Sequence, residues 1–508
     1  MSELLTREEY AAIAAELNFP TDAFIDGAFR PAQSGRTIET RNPATGELLG
    51  NLAACQADDV DLAVSRAREA FDRGDWSRMH PGDRKRVMVR LCKLMQRNRH
   101  ELAVLESLDS GKPIRDCATV DVPETIQCIL WHAEAIDKIY DESAPVGDDA
   151  MAMIVREPVG VVGAVLPWNF PLLMLAWKLG PSLAAGNSVI VKPAEQTSMT
   201  ALRVAELAHE AGVPRGVFNV VTGDGPGAGE ALGRHPDVDM ISFTGSTDVG
   251  RLFLRYSSES NLKRIVLECG GKNPCVVLED ATDLDLAAEH VLNAAFWNMG
   301  ENCSANSRLI VHESVKEALV ERVLARAREW RTGDPLDPAN HLGAMIDQGQ
   351  YDKVCAYIET ARKEGAKAIL EGGPEKGAEG LFIKPTIFDD VDPGATIARE
   401  EIFGPVLAMI SVSSTEQAIA VANDTPYGLA ASVFTRDIKR ALRAARAIRA
   451  GTVTINCYGE GDLTTPFGGY KQSGFGGRDN SLHAHDQYTE MKTIWIDLSD
   501  HDVEESLD

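Results

Sequence analysis

The sequence is poor in positive charge and has no cluster of it. Among its 508 residues, 51 Lys and Arg stand against 76 Asp and Glu, which gives a formal net charge of −25. Such an excess of negative charge repels phosphate backbones and anionic lipid surfaces. The densest basic stretch, residues 84–93, places its cations at helical spacing, as on one solvated helix face. We therefore expect neither a nucleic-acid partner nor a membrane partner.

Neither Cys-x-x-Cys pairs nor an apolar stretch at residues 1–19 is found. The nine cysteines are an odd number, and none of them forms a Cys-x-x-Cys motif. Residues 1–19 carry charged side chains where a secretion signal would be apolar. Residues 161–191 are apolar over a length that could span a bilayer, but three prolines interrupt them, and Asn169 and Lys178 would be costly in lipid. We expect a buried strand–loop–helix–strand passage there, in a protein of the reducing cytoplasm.

What the sequence does contain is alternation of strands and helices. The first 140 residues have mostly helical periodicity, and short β-branched runs then alternate with amphipathic stretches. The predicted strands lie at 161–165, 188–191, 217–221, 240–243, 264–267 and 274–278, and a second alternating set runs from 309 to 456. This order predicts an α/β fold with parallel sheets. Residues 152–156 and 492–498 alternate with period two, and they pair with each other or across a subunit boundary.

Three features predict a nucleotide site. Residues 223–229 follow the Gly-x-Gly-x-x-Ala pattern, but no acidic residue follows about twenty positions later, so a plain strand-to-helix turn remains equally open. The turn at 244–250 has small residues that would admit a pyrophosphate to a helix N-terminus. Lys192 and Glu195 follow a strand, where a carboxylate accepts both ribose hydroxyls and repels a 2′-phosphate, which favours NAD over NADP. A surface ion pair is the alternative for these two residues.

Cys303 is the candidate nucleophile. It lies in a polar turn between a helix and a strand, where a thiol is partly accessible and close to helix-end dipoles. A structural turn remains the alternative. No histidine stands in a context that suits the base of a Cys–His protease. His483 and His485 lack a third ligand at suitable spacing, so no metal site is predicted.

Two further polar residues stand in apolar surroundings. Glu268 ends a strand and precedes two glycines, and partial desolvation there would raise its pKa toward general-base use. A salt-bridged strand cap would have the same pattern. Asn169 lies between Pro167 and Pro171 in an apolar run, which is unfavourable unless the amide has a partner. A preorganised hydrogen-bond donor to an oxyanion would explain it.

Together these segments resemble the aldehyde dehydrogenase superfamily from about residue 22 to residue 498. The family motifs stand here as Pro167-Trp-Asn-Phe-Pro171, Val191-Lys-Pro-Ala-Glu195, Phe243-Thr-Gly-Ser-Thr247, Leu267-Glu-Cys-Gly-Gly271, Glu400-Glu-Ile-Phe-Gly-Pro405 and Pro466-Phe-Gly-Gly-Tyr-Lys471. Two departures concern substrate details: an extra residue at Gly476-Gly477, and Glu301 and Asn302, which are more polar than usual beside the nucleophile.

The resemblance implies a mechanism. Cys303 attacks the aldehyde, the Asn169 amide and the Cys303 backbone N–H hold the oxyanion, and Glu268 activates the water that hydrolyses a thioester. Lys178, with Asp479 where relatives often carry Glu, relays the proton. The resemblance assigns NAD binding to Trp168, Lys192, Glu195, Gly225, Gly245, Ser246, Glu401 and Phe403. It thereby reduces the Gly-x-Gly-x-x-Ala pattern to packing on the adenine side.

The resemblance also implies an architecture. It predicts a Rossmann-like NAD-binding domain at residues 1–143 and 162–270 and an α/β catalytic domain at 271–471. It assigns 144–161 and 480–508 to a β oligomerisation flap. The implied partner is a second copy of the chain, in a homodimer or homotetramer.

The C-terminal motifs look most like those of gamma-glutamyl-gamma-aminobutyraldehyde dehydrogenases, which oxidise ω-amino aldehydes in putrescine breakdown. The implied substrate tunnel is lined by Phe170, Met174, Trp177, Trp297, Asp121, Glu460 and Asp462, with Glu124 near its mouth. Acidic groups there suit a cationic tail. A general aliphatic or aromatic aldehyde dehydrogenase and a betaine aldehyde dehydrogenase remain alternatives. A silent protein of this fold and a coenzyme-A-acylating enzyme are disfavoured, because Cys303, Asn169 and Glu268 are all present.

Overall fold

The computed structural model describes residues 4–375, 377, 379–459 and 461–499. Its helices are α1 (Arg7–Glu16), α2 (Ala57–Arg73), α3 (Pro81–Arg97), α4 (Arg99–Ser110), α5 (Ile114–Asp116), α6 (Val122–Ala135), α7 (Pro171–Ala185), α8 (Met199–Ala211), α9 (Glu230–Arg234), α10 (Thr247–Ser258), α11 (Leu284–Phe296), α12 (Glu313–Ala327), α13 (Gln348–Lys363), α14 (Thr396–Arg399), α15 (Thr415–Asn423), α16 (Ile438–Ala447) and α17 (Ser481–Gln487). Two π-helical turns lie at Cys117–Asp121 and Gly225–Gly229.

The strands of the described residues form three larger sheets and two hairpin-like pairs. They are β1 (Ala23–Ile25), β2 (Ala28–Arg30), β3 (Thr37–Arg41), β4 (Leu48–Ala53), β5 (Glu142–Ala144), β6 (Ala150–Pro158), β7 (Val161–Val165), β8 (Ser188–Lys192), β9 (Phe218–Val220), β10 (Met240–Thr244), β11 (Arg264–Glu268), β12 (Pro274–Val277), β13 (Arg308–His312), β14 (Lys367–Leu370), β15 (Gly373–Pro374), β16 (Ile383–Lys384), β17 (Thr386–Asp389), β18 (Val406–Val412), β19 (Ala430–Phe434), β20 (Thr452–Ile455), β21 (Gly474–Phe475) and β22 (Thr489–Asp497).

The first sheet has the order β2-β1-β9-β8-β7-β10-β11-β21, and its central strands β9 to β11 are parallel. Every residue of β7, β8 and β10 is buried, as expected for strands with helices on both faces. Val189 and Val191 of β8 face the core of α3, α4, α6, α7 and α8, whereas Ile190 faces the core of α2, α9 and α10. The predicted parallel strands of this sheet are confirmed.

The second sheet has the order β14-β17-β18-β13-β12-β19-β20 and is parallel except for the edge strand β14. Leu309 and Val311 of β13 pack with α11 and α12, and Ile310 packs on the opposite face with α15 and α16. The two sheets are consecutive in sequence, because β11 ends at Glu268 and β12 begins at Pro274. The residues between them therefore lie where the two layers meet.

The third sheet joins distant parts of the chain in the order β22-β6-β5. β22 pairs antiparallel with β6, with Thr493 opposite Ile154 and Ile496 opposite Met151, so the predicted pairing of these two segments is confirmed within one chain. Trp495 and Met491 of β22 are exposed. Residues 500–508, which the predicted flap includes, lie outside the described residues.

The apolar run at 161–191 folds as β7, α7 and β8, as the sequence predicted. All of α7 is buried. Within the described ranges, no helix is long and apolar enough to cross a membrane. The four short strands β1 to β4 were not predicted, since they interrupt a region whose periodicity is mostly helical and are too short to alternate clearly.

Candidate active site

A cavity of about 500 Å³ opens where the two parallel sheets meet. Parallel strands end at a common edge, where ligands bind in open α/β sheets. Among the predicted site residues, its walls contain Trp168, Asn169, Phe170, Met174, Trp177, Gly245, Ser246, Glu268, Trp297, Cys303, Glu401, Phe403 and Asp462. The structure therefore brings most of the predicted residues together. Among the described residues, no group of three or more His, Cys, Asp or Glu is placed to hold a metal ion.

Cys303 lies in this wall on a turn that follows α11. The turn begins at Trp297, and Asn298 and Met299 adopt left-handed backbone angles (φ 53° and 56°) that non-glycine residues rarely take. Asn273 Nδ2 donates to the Cys303 carbonyl oxygen at 2.7 Å, which ties the turn to the end of the sheet link. Six other cysteines are buried, whereas Cys303 is partly exposed toward the cavity. Its thiol is thus accessible to a small molecule.

Asn169 is cross-linked to the nucleophile turn. Its side-chain Nδ2 donates to the carbonyl oxygen of Glu301 at 3.0 Å, and the side chain of Asn298 donates to the carbonyl oxygens of both Asn169 and Glu301. Asn169 is only 6% exposed, yet it lines the cavity. The amide is therefore held beside the Cys303 turn by hydrogen bonds that leave it little freedom.

Glu268 ends β11 and is 4% exposed. Its main-chain carbonyl accepts from Gly245 N at 3.0 Å, which joins β11 to the turn before α10. Burial, and then the nearby Asp479 carboxylate, hold the pKa of Glu268 well above its usual value. A carboxyl group in this setting exchanges a proton at higher pH than an exposed one does, as a general base near neutral pH requires.

Lys178 and Asp479 form a buried ion pair next to Glu268. Lys178 Nζ lies 3.3 Å from Asp479 Oδ2, and Gln487 Nε2 donates to Asp479 Oδ1 at 3.2 Å. Asp479 lines the cavity, whereas Lys178 lies behind it. The two charges act on Glu268 in opposite directions, because Asp479 raises its pKa and Lys178 lowers it.

A second arm of the cavity has groups that fit a dinucleotide. Ser246 caps α10 by accepting from Val249 N at 3.3 Å, and Glu401 Oε1 accepts from Gly271 N at 2.8 Å. The Trp168 and Phe403 rings meet edge to face, with centroids 5.2 Å apart. The two aromatic residues and Glu401 line the same cavity as Gly245 and Ser246 at the N-terminus of α10, which the sequence predicts to bind a pyrophosphate.

Three predicted cofactor residues lie outside the cavity wall: Lys192, Glu195 and Gly225. Lys192 Nζ and Glu195 Oε2 lie 3.1 Å apart just after β8, where a ribose would have to reach them. Gly225 begins a π-helical turn that the Asp224 side chain caps by accepting from Gly227 N at 2.7 Å. The Asp224 carboxylate already accepts from the backbone N–H of Gly227, and its negative charge would repel a pyrophosphate. The turn is therefore poorly suited to bind one.

The tunnel is aromatic close to Cys303 and acidic at its outer end. Phe170 packs on Trp297 and Trp177 on Phe467, with centroids 5.2 and 5.0 Å apart. Glu124 and Asp462 also line the cavity. Asp462 is exposed, and hydrogen bonds from the Thr464 side chain and backbone hold its pKa below the usual value, so it is ionised at neutral pH.

The prediction for Asp121 was wrong, and Glu460 lies outside the described residues. Asp121 is fully buried on the π-helical turn before α6, and its Oδ2 lies 2.7 Å from Lys112 Nζ. From the sequence alone, a carboxylate at a tunnel mouth cannot be told from a carboxylate in a buried ion pair, because nothing in the sequence shows that Lys112 is its partner. Asp121 therefore contributes no exposed charge to the mouth.

Sequence reasoning missed two residues that support the site. Gln350 Nε2 donates to the carbonyl oxygens of Ile402 and Phe403, at 3.1 and 2.6 Å, and so fixes the loop that carries Phe403. Lys112 donates to the Asn169 carbonyl at 3.2 Å. Both act through contacts between segments far apart in sequence, so no local motif marks them.

Comparisons with known proteins agree with this geometry. The profile of the "Aldehyde dehydrogenase family" matches residues 29–494. The aminoacetaldehyde dehydrogenase of Pseudomonas aeruginosa is 64% identical over 98% of this chain and 100% of its own length. The crystal structure of a gamma-glutamyl-gamma-aminobutyraldehyde dehydrogenase from Burkholderia cenocepacia is 51% identical, with a TM-score of 0.95 over 97% of this chain and 100% of that one. A mutant of the P. syringae AldA indole-3-acetaldehyde dehydrogenase in complex with NAD+ and IAA is 48% identical, with a TM-score of 0.96 over 97% and 100%.

The two charges beside Glu268 make its pKa a testable quantity. Asp479→Asn should lower the pKa of Glu268, because it removes the carboxylate that raises this pKa and leaves the Lys178 ammonium without its counter-ion. The measurement is an infrared titration of protein with isotope-labelled glutamate, in which Glu268→Gln identifies the band. Asp486→Asn, an exposed carboxylate, serves as the control and should not move it. A Glu268 band that titrates at the same or a higher pH in Asp479→Asn would contradict the assignment.

Proposed function

The chain belongs to the aldehyde dehydrogenase family, and from this premise we propose that it oxidises ω-amino aldehydes to ω-amino acids with NAD as the hydride acceptor. The observation that carries the proposal is the convergence of Cys303, Asn169 and Glu268 on one cavity whose outer end is acidic. The names of the P. aeruginosa and B. cenocepacia relatives, both amino aldehyde dehydrogenases, support the substrate class. This class places the reaction in putrescine catabolism, as the sequence resemblance implies.

Cys303 begins the reaction. As the thiolate, its sulfur attacks the aldehyde carbonyl carbon and forms a carbon–sulfur bond, and the carbonyl π electrons move to oxygen, which becomes an alkoxide. The Asn169 amide and the Cys303 backbone N–H donate to this oxyanion. The Asn169 side chain already donates a hydrogen bond to the Glu301 carbonyl oxygen. It therefore needs no rearrangement when negative charge develops on the substrate oxygen.

The residues of the second arm fit NAD. Gly270 lies against the Glu401 carboxylate, since a Cβ at Gly270 would meet both carboxylate oxygens, so the lack of a side chain lets this carboxylate sit on the backbone of the link between the sheets. Glu401 and Phe403 would hold the nicotinamide ribose and ring, Ser246 and Gly245 the pyrophosphate, and Lys192 and Glu195 the adenosine ribose. When bound, NAD would accept the hydride. Once the thiohemiacetal carbon has lost this hydride, a thioester on Cys303 remains.

Glu268 completes the turnover. As its carboxylate it removes a proton from water, and the hydroxide that forms attacks the thioester carbon. The carbon–sulfur bond breaks, and the acid leaves with the Cys303 thiolate restored. The Lys178–Asp479 pair lies next to Glu268 and opens to the cavity through Asp479, so it offers the proton a route outward.

Recognition of the substrate tail comes from the aromatic wall and the acidic outer end of the tunnel. Aromatic faces and carboxylates both attract an ammonium group. Phe170, Trp177 and Trp297 supply the faces, and Glu124 and Asp462 supply the charge. The rival proposal is a broad range of aromatic or aliphatic aldehydes, which the same aromatic walls and the similarity to an indole-3-acetaldehyde dehydrogenase favour.

The third sheet supports a homo-oligomer, either dimer or tetramer. Among the described strands β22 pairs only with β6, so its other edge is open, and Trp495 on it is 62% exposed. An open apolar edge strand is a template for pairing with another chain. The nine cysteines, none of which forms a disulfide within the described residues, support a reducing compartment, the cytoplasm.

The nucleophile assignment is tested by Cys303→Ala. NADH formation with aminobutanal should fall by more than about 1,000-fold, because no thiohemiacetal forms without the sulfur. NAD should still bind, as titration calorimetry would report. The control is Cys457→Ala, an exposed cysteine that should keep its activity. Substantial turnover by Cys303→Ala would rule out the assignment.

The substrate class is tested by Asp462→Asn. Loss of one charge at the mouth should lower kcat/KM for aminobutanal roughly three- to tenfold while kcat/KM for hexanal stays the same. Steady-state kinetics on both aldehydes give the ratio. Glu416→Gln makes the same change in net charge on the exposed face of α15 and serves as control. An unchanged ratio in Asp462→Asn would favour the broad-range rival.

The oligomer is tested by Trp495→Asp. A charge on the open edge of β22 should shift the molar mass in light scattering toward the single chain at micromolar concentration. Leu262→Asp introduces the same charge at a position that is 78% exposed, in a turn outside this sheet, and should leave the mass unchanged. A mass in Trp495→Asp equal to that of the parent would argue against this edge as the interface.

A further inference from the structure

The main chain at Asn169 is held by side chains. Its carbonyl oxygen accepts from Lys112 Nζ at 3.2 Å and from Asn298 Nδ2 at 3.1 Å. The helical hydrogen bonds of α7 begin one residue later, where Met174 N donates to the Phe170 carbonyl, and Pro171 has no N–H to donate. The position of Asn169 therefore depends on Lys112 and Asn298.

Lys112 is a buried cation whose ammonium contacts three groups on two segments of the chain. It is 1% exposed and lies between α4 and α5, while its ammonium reaches Asp121 Oδ2 on the π-helical turn at 2.7 Å. The same ammonium lies 3.9 Å from the centroid of the Phe170 ring. Burial lowers the pKa of Lys112, but Asp121, Cys117 and Glu106 together outweigh this effect and raise the pKa above its usual value.

Two of the groups that this ammonium contacts belong to the wall around Cys303. Asn169 and Phe170 both line the cavity, the first beside the nucleophile turn and the second on the aromatic tunnel. We propose that Lys112 is a positioning residue, whose ammonium fixes the Asn169 main chain and the Phe170 ring so that the Asn169 amide meets the oxyanion. The inference rests on the proposed function, because it requires the proposed role of Asn169.

A purely structural ion pair would behave differently. Breaking a buried pair leaves one charge unpaired and destabilises the fold, whereas replacing both partners by neutral groups is often tolerated. If Lys112 and Asp121 serve only the fold, a neutral pair should restore activity together with stability. If Lys112 positions Asn169, activity should follow the lysine alone, because Met cannot donate to the Asn169 carbonyl.

The experiment compares Lys112→Met, Asp121→Asn and the double variant with the parent enzyme. In both variants that lack the lysine, we expect kcat and the single-turnover rate of NADH formation to fall roughly 10- to 100-fold, as a misplaced oxyanion donor requires. The Tm of the double variant should lie close to that of the parent. Asp121→Asn keeps the amine donor and should lower kcat by no more than about threefold. Alkylation of Cys303 by iodoacetamide, which forms no oxyanion, should proceed at the parent rate in all three.

A double variant with the kcat of the parent would overturn the proposal, and so would an Asp121→Asn that loses as much kcat as Lys112→Met. The variant Asn169→Ala shows whether a failure concerns the role of Lys112 or the proposed role of Asn169 itself. Once Lys112 is Met, the further cost of Asn169→Ala should be smaller than in the parent, since the two act through one amide. Additive costs would refute the role of Lys112 and leave that of Asn169 intact. An Asn169→Ala enzyme with full kcat would refute the role of Asn169 itself.

Discussion

The site depends on the narrow passage by which the chain crosses from one parallel sheet to the other. Between β11 and β12 the chain passes Gly270 and Gly271, and a side chain at either position would collide, at Gly270 with the Glu401 carboxylate and at Gly271 with the Cys303 carbonyl oxygen. Glu268 stands before this passage and Asn273, which holds the Cys303 turn, stands after it. The base, the nucleophile turn and the nucleotide arm can therefore lie close together, because Gly270 and Gly271 in the middle of this passage carry no side chains.

Much of this arrangement could be predicted from the sequence. The parallel strands were predictable because helices cover both faces and most strand residues are therefore apolar, and the end of each strand marks a position at the common edge. The sequence predicts functional roles for Cys303, Glu268 and Asn169 from their local sequence context, and all three line the cavity. Their chemical roles and the domain boundaries stay predictions. Lys112 and Gln350 were not predictable, since each acts on a segment that only the folded chain brings near.

The charge distribution shows why composition alone was a poor guide to the tunnel. Asp121 and Asp479 are buried, and each is matched by one buried lysine, so neither adds to the field at the mouth. Asp462 is exposed and ionised, and it acts on its surroundings directly. The net charge of −25 counts these carboxylates alike. What attracts a cation is the small number of carboxylates that are exposed in the wall, such as Asp462.

The late position of the last strands has a consequence for biosynthesis. β21 pairs with β11 at Glu268, Asp479 closes the cavity, and the Tyr488 hydroxyl donates to Ser242 Oγ at 3.0 Å before β22 joins the middle of the chain. The ribosome makes β21, Asp479, Tyr488 and β22 after Asn169, Glu268 and Cys303 have been synthesised. A nascent chain therefore carries the thiol before it has Asp462, Phe467 and Asp479, which complete the cavity wall. A chaperone that binds this chain during translation would therefore have to cover the Cys303 thiol as well as the edge of β6 that later pairs with β22.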